Sequence, residues 1–172
     1  MIRSLFVFTL LASSVSVMAD ENNCNTESIV PSHQEFTFFD NKDGTVTDIV
    51  NDRLWSKCSI GQTYQSGLCM GEPTSFKTWQ EALQAVERLP DNQRLPNIVE
   101  LSGLIEHSCY DPAISIASFP NTPSGVYWTN TPDPKGINSH VSLPARIVDF
   151  KDGGEFLLDV NSAIYVRTII ER

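Results

Sequence analysis

Apolar residues recur at helical spacing in the middle of the chain, at Trp79, Ala82, Leu83 and Val86. This period predicts an amphipathic helix over about residues 78–89. Thr78 precedes the stripe and Glu81 follows three residues later, which is the pattern of a capping box. Pro90 then ends the helix, because proline has no amide hydrogen to continue it.

A second helical stripe follows at Ile98, Leu101, Leu104 and Ile105. Asn97 precedes the stripe and Glu100 lies three residues later, so a second capping box is predicted. We expect this helix to end near His107 or Cys109.

Short β-prone runs flank the two helices, at residues 36–40, 45–48, 53–58, 126–129, 147–150, 155–158 and 165–170. Asp43-Gly44 and residues 151–154 are hairpin-turn signals between such runs. The segment at 132–144 holds three prolines and predicts a long surface loop. The order of strands, helices and strands indicates an α+β fold class rather than alternating βαβ units.

The first residues form a different pattern, in which Arg3 precedes an apolar run at residues 5–12. Ala19 then provides a small residue for signal peptidase, so residues 1–19 are predicted to be a secretory signal peptide. The alternative is an uncleaved anchor helix, although the run is shorter than the ~20 residues that span a bilayer. We expect an N-terminal segment over 20–35 and a single domain over 36–172, with no membrane anchor after cleavage.

The net charge of the chain limits the classes of molecule that it is expected to bind. The 172-residue chain has a formal net charge of −9, which becomes −10 when Arg3 leaves with the signal peptide. This balance argues against nucleic acid, whose binding depends on clustered Lys and Arg. The expected location is exported, either periplasmic or secreted.

Four cysteines remain after cleavage, at Cys24, Cys58, Cys69 and Cys109. An even number in an exported chain predicts two disulfides, for which three pairings exist. We favour Cys58–Cys69, because the residues between them are polar and typical of a loop. Cys24–Cys109 is then the remaining pair.

No residue set indicates catalysis. The sequence contains no Gly-x-Ser-x-Gly, phosphate-binding loop or dinucleotide motif, and its three histidines lack paired spacing. We therefore expect no enzyme activity, no metal and no cofactor. Calcium at residues 40–48 is an alternative, but the EF-hand register fails at Lys42 and Gly44, and turn chemistry explains the Asp-Gly pair.

The predicted loop after Trp128 is the candidate ligand-binding region. Its side chains are Trp128, Asn130, Asp133, Lys135, Asn138 and His140. An aromatic ring beside amide and carboxylate groups suits a sugar, which stacks by its apolar face and hydrogen-bonds by its hydroxyls. The alternative is an ordinary exposed loop with Trp128 packed in the core.

An ordered series of motifs resembles a known family. The series is 39–48 (Phe-Asp-Asn-Lys-Asp-Gly-Thr-Val-Thr-Asp), 54–58 (Leu-Trp-Ser-Lys-Cys), Arg94-Leu95-Pro96-Asn97 with Glu100-Leu101, 109–114 (Cys-Tyr-Asp-Pro-Ala-Ile), 119–124 (Phe-Pro-Asn-Thr-Pro-Ser) and Tyr165-Val166-Arg167. It is similar to the DUF1566 family, the Lcl C-terminal-like domain that also ends the Legionella collagen-like adhesin. The resemblance spans about residues 36–167.

The resemblance implies a bacterial exported protein with a C-type-lectin-like fold of two helices and small antiparallel sheets. It also implies adhesion, since the adhesin member binds sulfated glycosaminoglycans. We expect a lectin-like carbohydrate-binding module whose partner is a glycan or a cell-surface protein. A structural or assembly component of a bacterial envelope machine is the alternative, and an enzyme is a distant third.

Overall fold

The computed structural model describes residues 23–90, 92–132, 145–154 and 164–172. The strands in this part are β1 Asn23–Cys24, β2 Phe38–Asp40, β3 Thr45–Asp48, β4 Arg53–Ser56, β5 Thr63–Gln65, β6 Leu68–Met70, β7 Gln93–Arg94, β8 Cys109–Tyr110, β9 Val126–Pro132, β10 Ala145–Asp149, β11 Ile164–Tyr165 and β12 Ile169–Ile170. The helices are α1 Trp79–Glu87 and α2 Ile98–Ser102. Small sheets with two helices confirm the α+β class.

Both predicted capping boxes are present. The Thr78 hydroxyl accepts from the Glu81 amide at 3.1 Å, and the Glu81 carboxylate accepts in return from the Thr78 amide at 3.3 Å. The Asn97 side chain accepts from the Glu100 amide at 2.9 Å, and Glu100 accepts from the Asn97 amide at 2.7 Å. These reciprocal bonds satisfy amides that a helix start leaves without partners.

The predicted end of the second helix is wrong. α2 stops at Ser102 with Gly103 as its C-cap. The apolar stripe in the sequence extends beyond the end of the helix, because Leu104 and Ile105 are buried in the turn that follows. In this turn Ile105 forms an isolated β-bridge with Ile114. Cys109 lies in β8, so its disulfide is not at a helix end.

The largest sheet has the order β2-β3-β4-β12-β7. Its first hairpin turns at Asp43-Gly44 as predicted, with Gly44 at φ +93° and the Asp43 carboxylate accepting from the Thr45 amide at 2.9 Å. A three-stranded sheet, β10-β9-β11, places side chains in both apolar clusters of the core, for example Tyr127 in one and Trp128 in the other. The run at 155–158 lies outside the described residues.

The C-terminal run at 165–170 is not one strand. β11 pairs in parallel with β9, whereas β12 lies between β4 and β7 in the large sheet. Between them Arg167 is fully buried and donates to the Ser56 carbonyl at 2.9 Å and the Thr122 hydroxyl at 2.7 Å. The chain therefore changes sheet around a buried guanidinium, which the apolar pattern could not predict.

Two apolar clusters form the core. The first is centred on Trp55, Leu101, Phe119, Tyr127 and Phe150, and the second on Ala82, Leu95, Trp128, Ile147 and Val166. α1 packs on the second cluster and α2 on the first. Within the residues described, no helix is long and apolar enough to cross a membrane.

Both predicted disulfides are confirmed. Cys58–Cys69 encloses the β5–β6 hairpin, where the sequence predicts only a loop. Cys24–Cys109 joins β1 to β8 across 85 residues of sequence. No cysteine is free.

Candidate functional site

The predicted ligand-binding residues begin in β9. Trp128 is 1% exposed, packs in the second cluster and donates its indole N–H to the Phe76 carbonyl at 3.4 Å. Its ring therefore contacts protein and presents no face to solvent. Asn130 is exposed, and its amide donates to the Pro96 carbonyl at 2.8 Å. The remaining predicted residues, Asp133, Lys135, Asn138 and His140, lie outside the described residues.

The acidic turn considered for calcium uses its oxygens internally. Asp40 Oδ2 lies 2.7 Å from the buried Lys57 ammonium, and this hydrogen bond lowers the pKa of Asp40. Asp43 Oδ1 accepts from the Thr45 hydroxyl at 2.6 Å, which lowers the pKa of Asp43. Across the described part of the chain, no group of three or more His, Cys, Asp or Glu residues is placed to hold a metal ion.

An open groove lies in the protein surface between residues 24–38 and the turn at 115–118, and it is larger than the second opening described below. We call it the N-terminal groove. Its volume is about 580 Å³, within the usual range of small-molecule sites. Apolar groups from Pro31, Phe36 and Phe38 share its lining with the polar side chains Thr26, Gln34, Glu35, Ser115 and Ser118.

The N-terminal wall of this groove is fixed at two points. The Cys24–Cys109 bridge holds its beginning, supported by a 2.7 Å bond from the Asn25 amide to the Ser108 carbonyl. Further along, the Glu106 carboxylate accepts from the Ser32 amide at 2.8 Å and the His33 amide at 3.2 Å. The wall is thus formed before any ligand arrives, which lowers the entropic cost of binding.

The Glu106 carboxylate is the charged group that holds the N-terminal wall of the groove. Burial alone would raise the pKa of Glu106, but hydrogen bonds from the Ser32 amide and from Ser108 lower it to about 2. His33 Nδ1 lies 3.3 Å from the same carboxylate, and His33 Nε2 is 2.8 Å from the Gly103 carbonyl. The carboxylate is therefore ionised at neutral pH. The imidazole is hydrogen-bonded at Nε2, whereas Nδ1 is buried beside the carboxylate and makes no hydrogen bond within the described residues.

Phe36 stands at the groove with an unusual backbone. Its φ is 72°, in the left-handed region, and the residue is 78% exposed. That conformation costs a non-glycine residue roughly 1–2 kcal/mol, and exposing a large aromatic ring adds no burial energy in return. Strain and exposure in one residue beside a preformed groove are typical of a ligand contact.

Phe36 is not among the ligand-binding residues that the sequence predicts. Phe36 opens an aromatic run with Phe38 and Phe39, which predicts a strand. Only the structure shows that β2 begins at Phe38 and that Phe36 precedes it in a turn. The run of aromatics at the start of an edge strand was the available signal.

A second, polar opening of about 410 Å³ lies beside the β5–β6 hairpin. Its amides are already used within the protein, since Gln62 donates to the Asn121 carbonyl at 3.0 Å and accepts from the Ser59 amide at 3.1 Å. Asn121 Oδ1 accepts from the Cys69 amide at 3.3 Å. These groups brace the hairpin, so the N-terminal groove is the better candidate for a ligand.

Comparison with known proteins gives one match. No curated protein and no solved structure matches the chain. A model of the Lcl C-terminal domain matches residues 44–170, which is most of the chain and includes the motif series described above except for residues 39–43. The N-terminal wall of the groove, residues 24–38, precedes this matched region. By this match, the chain belongs to the Lcl C-terminal domain family.

Proposed function

We propose that the protein is an exported, lectin-like binding module of adhesin type, which binds a glycan through the N-terminal groove and performs no chemistry of its own. Membership of the Lcl C-terminal domain family supports a surface-binding role. Two disulfides support export, because they persist in oxidising compartments. The periplasm and the extracellular space are both compatible with this proposal.

We also propose a C-type-lectin-like fold for the domain over residues 36–172. Two short helices, small antiparallel sheets and a near-terminal strand, β12, inserted between β4 and β7 support it. In this arrangement the segment over 20–35 is an addition that supplies most of one groove wall.

The observation that carries the functional proposal is Phe36. An exposed aromatic ring offers a flat apolar face, on which the C–H face of a pyranose stacks. Gln34, Ser115 and Ser118 lie in the same lining and supply an amide and hydroxyls for the sugar hydroxyls. One apolar platform with hydrogen-bonding groups around it matches the amphipathic surface of a carbohydrate.

The test is a binding screen of the mature domain on a glycan array, followed by titration of any glycan that binds. Phe36→Gly is the informative variant, because glycine adopts φ 72° without strain. The variant therefore removes the ring and leaves the backbone in place. We expect at least a tenfold weaker affinity, consistent with the loss of more than about 1.4 kcal/mol, with no loss of thermal stability.

Phe39→Ala is the matched control. Phe39 is 59% exposed in β2 but does not line the groove, so its removal is expected to leave binding unchanged. If no glycan binds and a protein partner is captured instead, the protein is a structural or assembly component and the lectin proposal is wrong.

The loop predicted from sequence is a rival surface for the same function. Combined alanine replacement of Asp133, Asn138 and His140 tests it directly. Loss of glycan binding in that variant, with binding intact in Phe36→Gly, would move the site from the groove to the loop.

A further inference from the structure

We propose that the N-terminal groove selects uncharged pyranosides and disfavours sulfated or carboxylated sugars. This inference rests on the proposed function and names the class of glycan that the groove takes. It follows from the charges of the groove walls.

Neither wall contains a lysine or an arginine. Residues 20–41 have none, and residues 103–124 have none. Proteins bind sulfate and carboxylate groups through Lys and Arg, and Arg in particular pairs with them in bidentate fashion. The groove therefore lacks both of these cationic side chains, and its imidazole, that of His33, lies against the Glu106 carboxylate at 3.3 Å.

The walls carry negative charge instead. Glu106 lies in the lining, and its carboxylate is held ionised by the backbone amides of Ser32 and His33. Glu35 is exposed in the same lining, and it makes no ion pair or hydrogen bond within the described residues. A sulfate in the groove would face at least one unneutralised carboxylate.

Phe36 and the polar lining can contact an uncharged sugar, although the Ser115 hydroxyl also donates to the Ser118 hydroxyl at 3.5 Å. Stacking on the ring and hydrogen bonds to Gln34, Ser115 and Ser118 require no charge. Neutral glycans are therefore expected to bind with little dependence on salt. For a sulfated analogue, repulsion across several ångströms of partly screened solvent weakens binding on the order of tenfold.

The experiment compares neutral and sulfated forms of the same oligosaccharide on the full mature chain. Each form is titrated at about 10 mM and about 1 M salt, where the Debye length falls from roughly 30 Å to 3 Å. We expect the neutral form to bind about tenfold more tightly at low salt, and the gap to close at high salt.

Charge reversal at the groove provides the second arm. Glu35→Lys is expected to abolish the preference for the neutral form, while Phe36→Gly weakens both forms alike. Glu87→Lys is the matched control, because Glu87 is an exposed residue of α1 outside the groove and the net charge changes equally. It is expected to leave the preference intact.

The outcomes separate the two proposals. Tighter binding of the sulfated form by the unmodified protein, or an equal effect of Glu35→Lys and Glu87→Lys, would overturn the charge selection while glycan binding stands. No binding of either form would overturn the proposed function, and the selection with it.

Discussion

Two basic side chains, Lys57 and Arg167, are buried and hydrogen-bond to groups on different parts of the chain. Lys57 is 1% exposed and reaches Asp40 at the surface, whereas Arg167 is fully buried and bonds neutral oxygens above the Phe119 ring. Burial lowers the pKa of Arg167. Lys57 donates to a carboxylate, whereas Arg167 provides donors for backbone carbonyl and hydroxyl oxygens.

Glu106 leads to a prediction about pH. The folded pKa of Glu106, about 2, lies below its ordinary value of 4.5, so the ionised carboxylate stabilises the fold above pH 4.5. This stability is lost as pH falls from 4.5 towards 2, by on the order of 3 kcal/mol. Denaturant unfolding at several pH values measures it, and Glu106→Gln is expected to flatten the curve in this range.

Glu35→Gln is the control for that series. Glu35 is exposed and has no partner within the described residues, so its replacement is expected to change stability by less than about 0.5 kcal/mol. A pH profile of Glu106→Gln that matches the unmodified protein would show that the N-terminal wall does not depend on this carboxylate.

For a single residue, the sequence shows the type of side chain but not how far that side chain is exposed to solvent. Trp128 and Phe36 are both aromatics in β-prone runs, and the polar residues that follow Trp128 predict the ligand role for Trp128. Trp128 packs in the core and Phe36 is exposed because of a backbone turn at φ 72°. Residues distant in sequence, such as Glu106, hold the segment in which that turn lies.

Elements were predictable where their signals are local. A capping box needs two residues three positions apart, and both boxes were found at Thr78 and Asn97. The hairpin at Asp43-Gly44 is local in the same way. The apolar stripe extends past the Gly103 C-cap to Leu104 and Ile105, so the stripe alone predicts a second helix that is too long. The division of residues 165–170 was not predictable, since it depends on which distant strand each half pairs with.

The two capping boxes allow the same substitution to be compared in both helices, with different expected losses of stability. Glu100 and Glu81 occupy the same box position, but Glu100 is 7% exposed and also bonds Arg94 at 2.8 and 2.9 Å. Glu81 is exposed, and its carboxylate accepts from the amides of Lys77 at 2.9 Å and Thr78 at 3.3 Å, just before its own helix. Glu100→Gln is expected to cost roughly 2–3 kcal/mol, because one partner of a buried, charge-assisted pair is lost.

Glu81→Gln is expected to cost less than about 1 kcal/mol, since glutamine also closes a capping box. Chemical denaturation of the two variants measures both values. Equal losses would show that the Arg94 pair adds nothing beyond the cap.

Two disulfides cross-link the molecule, and they stabilise different parts of it. Cys58–Cys69 closes a hairpin over 11 residues of sequence separation, and Cys24–Cys109 closes a loop over 85. The loop-entropy model gives about 3 kcal/mol for the first and about 4–5 kcal/mol for the second. Only the second also fixes a wall of the N-terminal groove.

This difference separates stability from binding in one experiment. Replacement of Cys24 and Cys109 by serine is expected to lower the unfolding free energy and to weaken glycan binding together, because the N-terminal wall loses its covalent attachment and keeps only hydrogen bonds, such as those to Ser108 and Glu106. Replacement of Cys58 and Cys69 by serine is expected to lower stability while binding stays within about twofold, a change of about 0.4 kcal/mol. Unfolding and titration at a temperature where both variants are folded measure the two effects. Equal loss of binding in the two variants would mean that the groove depends on overall stability rather than on its disulfide-linked wall, and the assignment of the ligand to this groove would then be wrong.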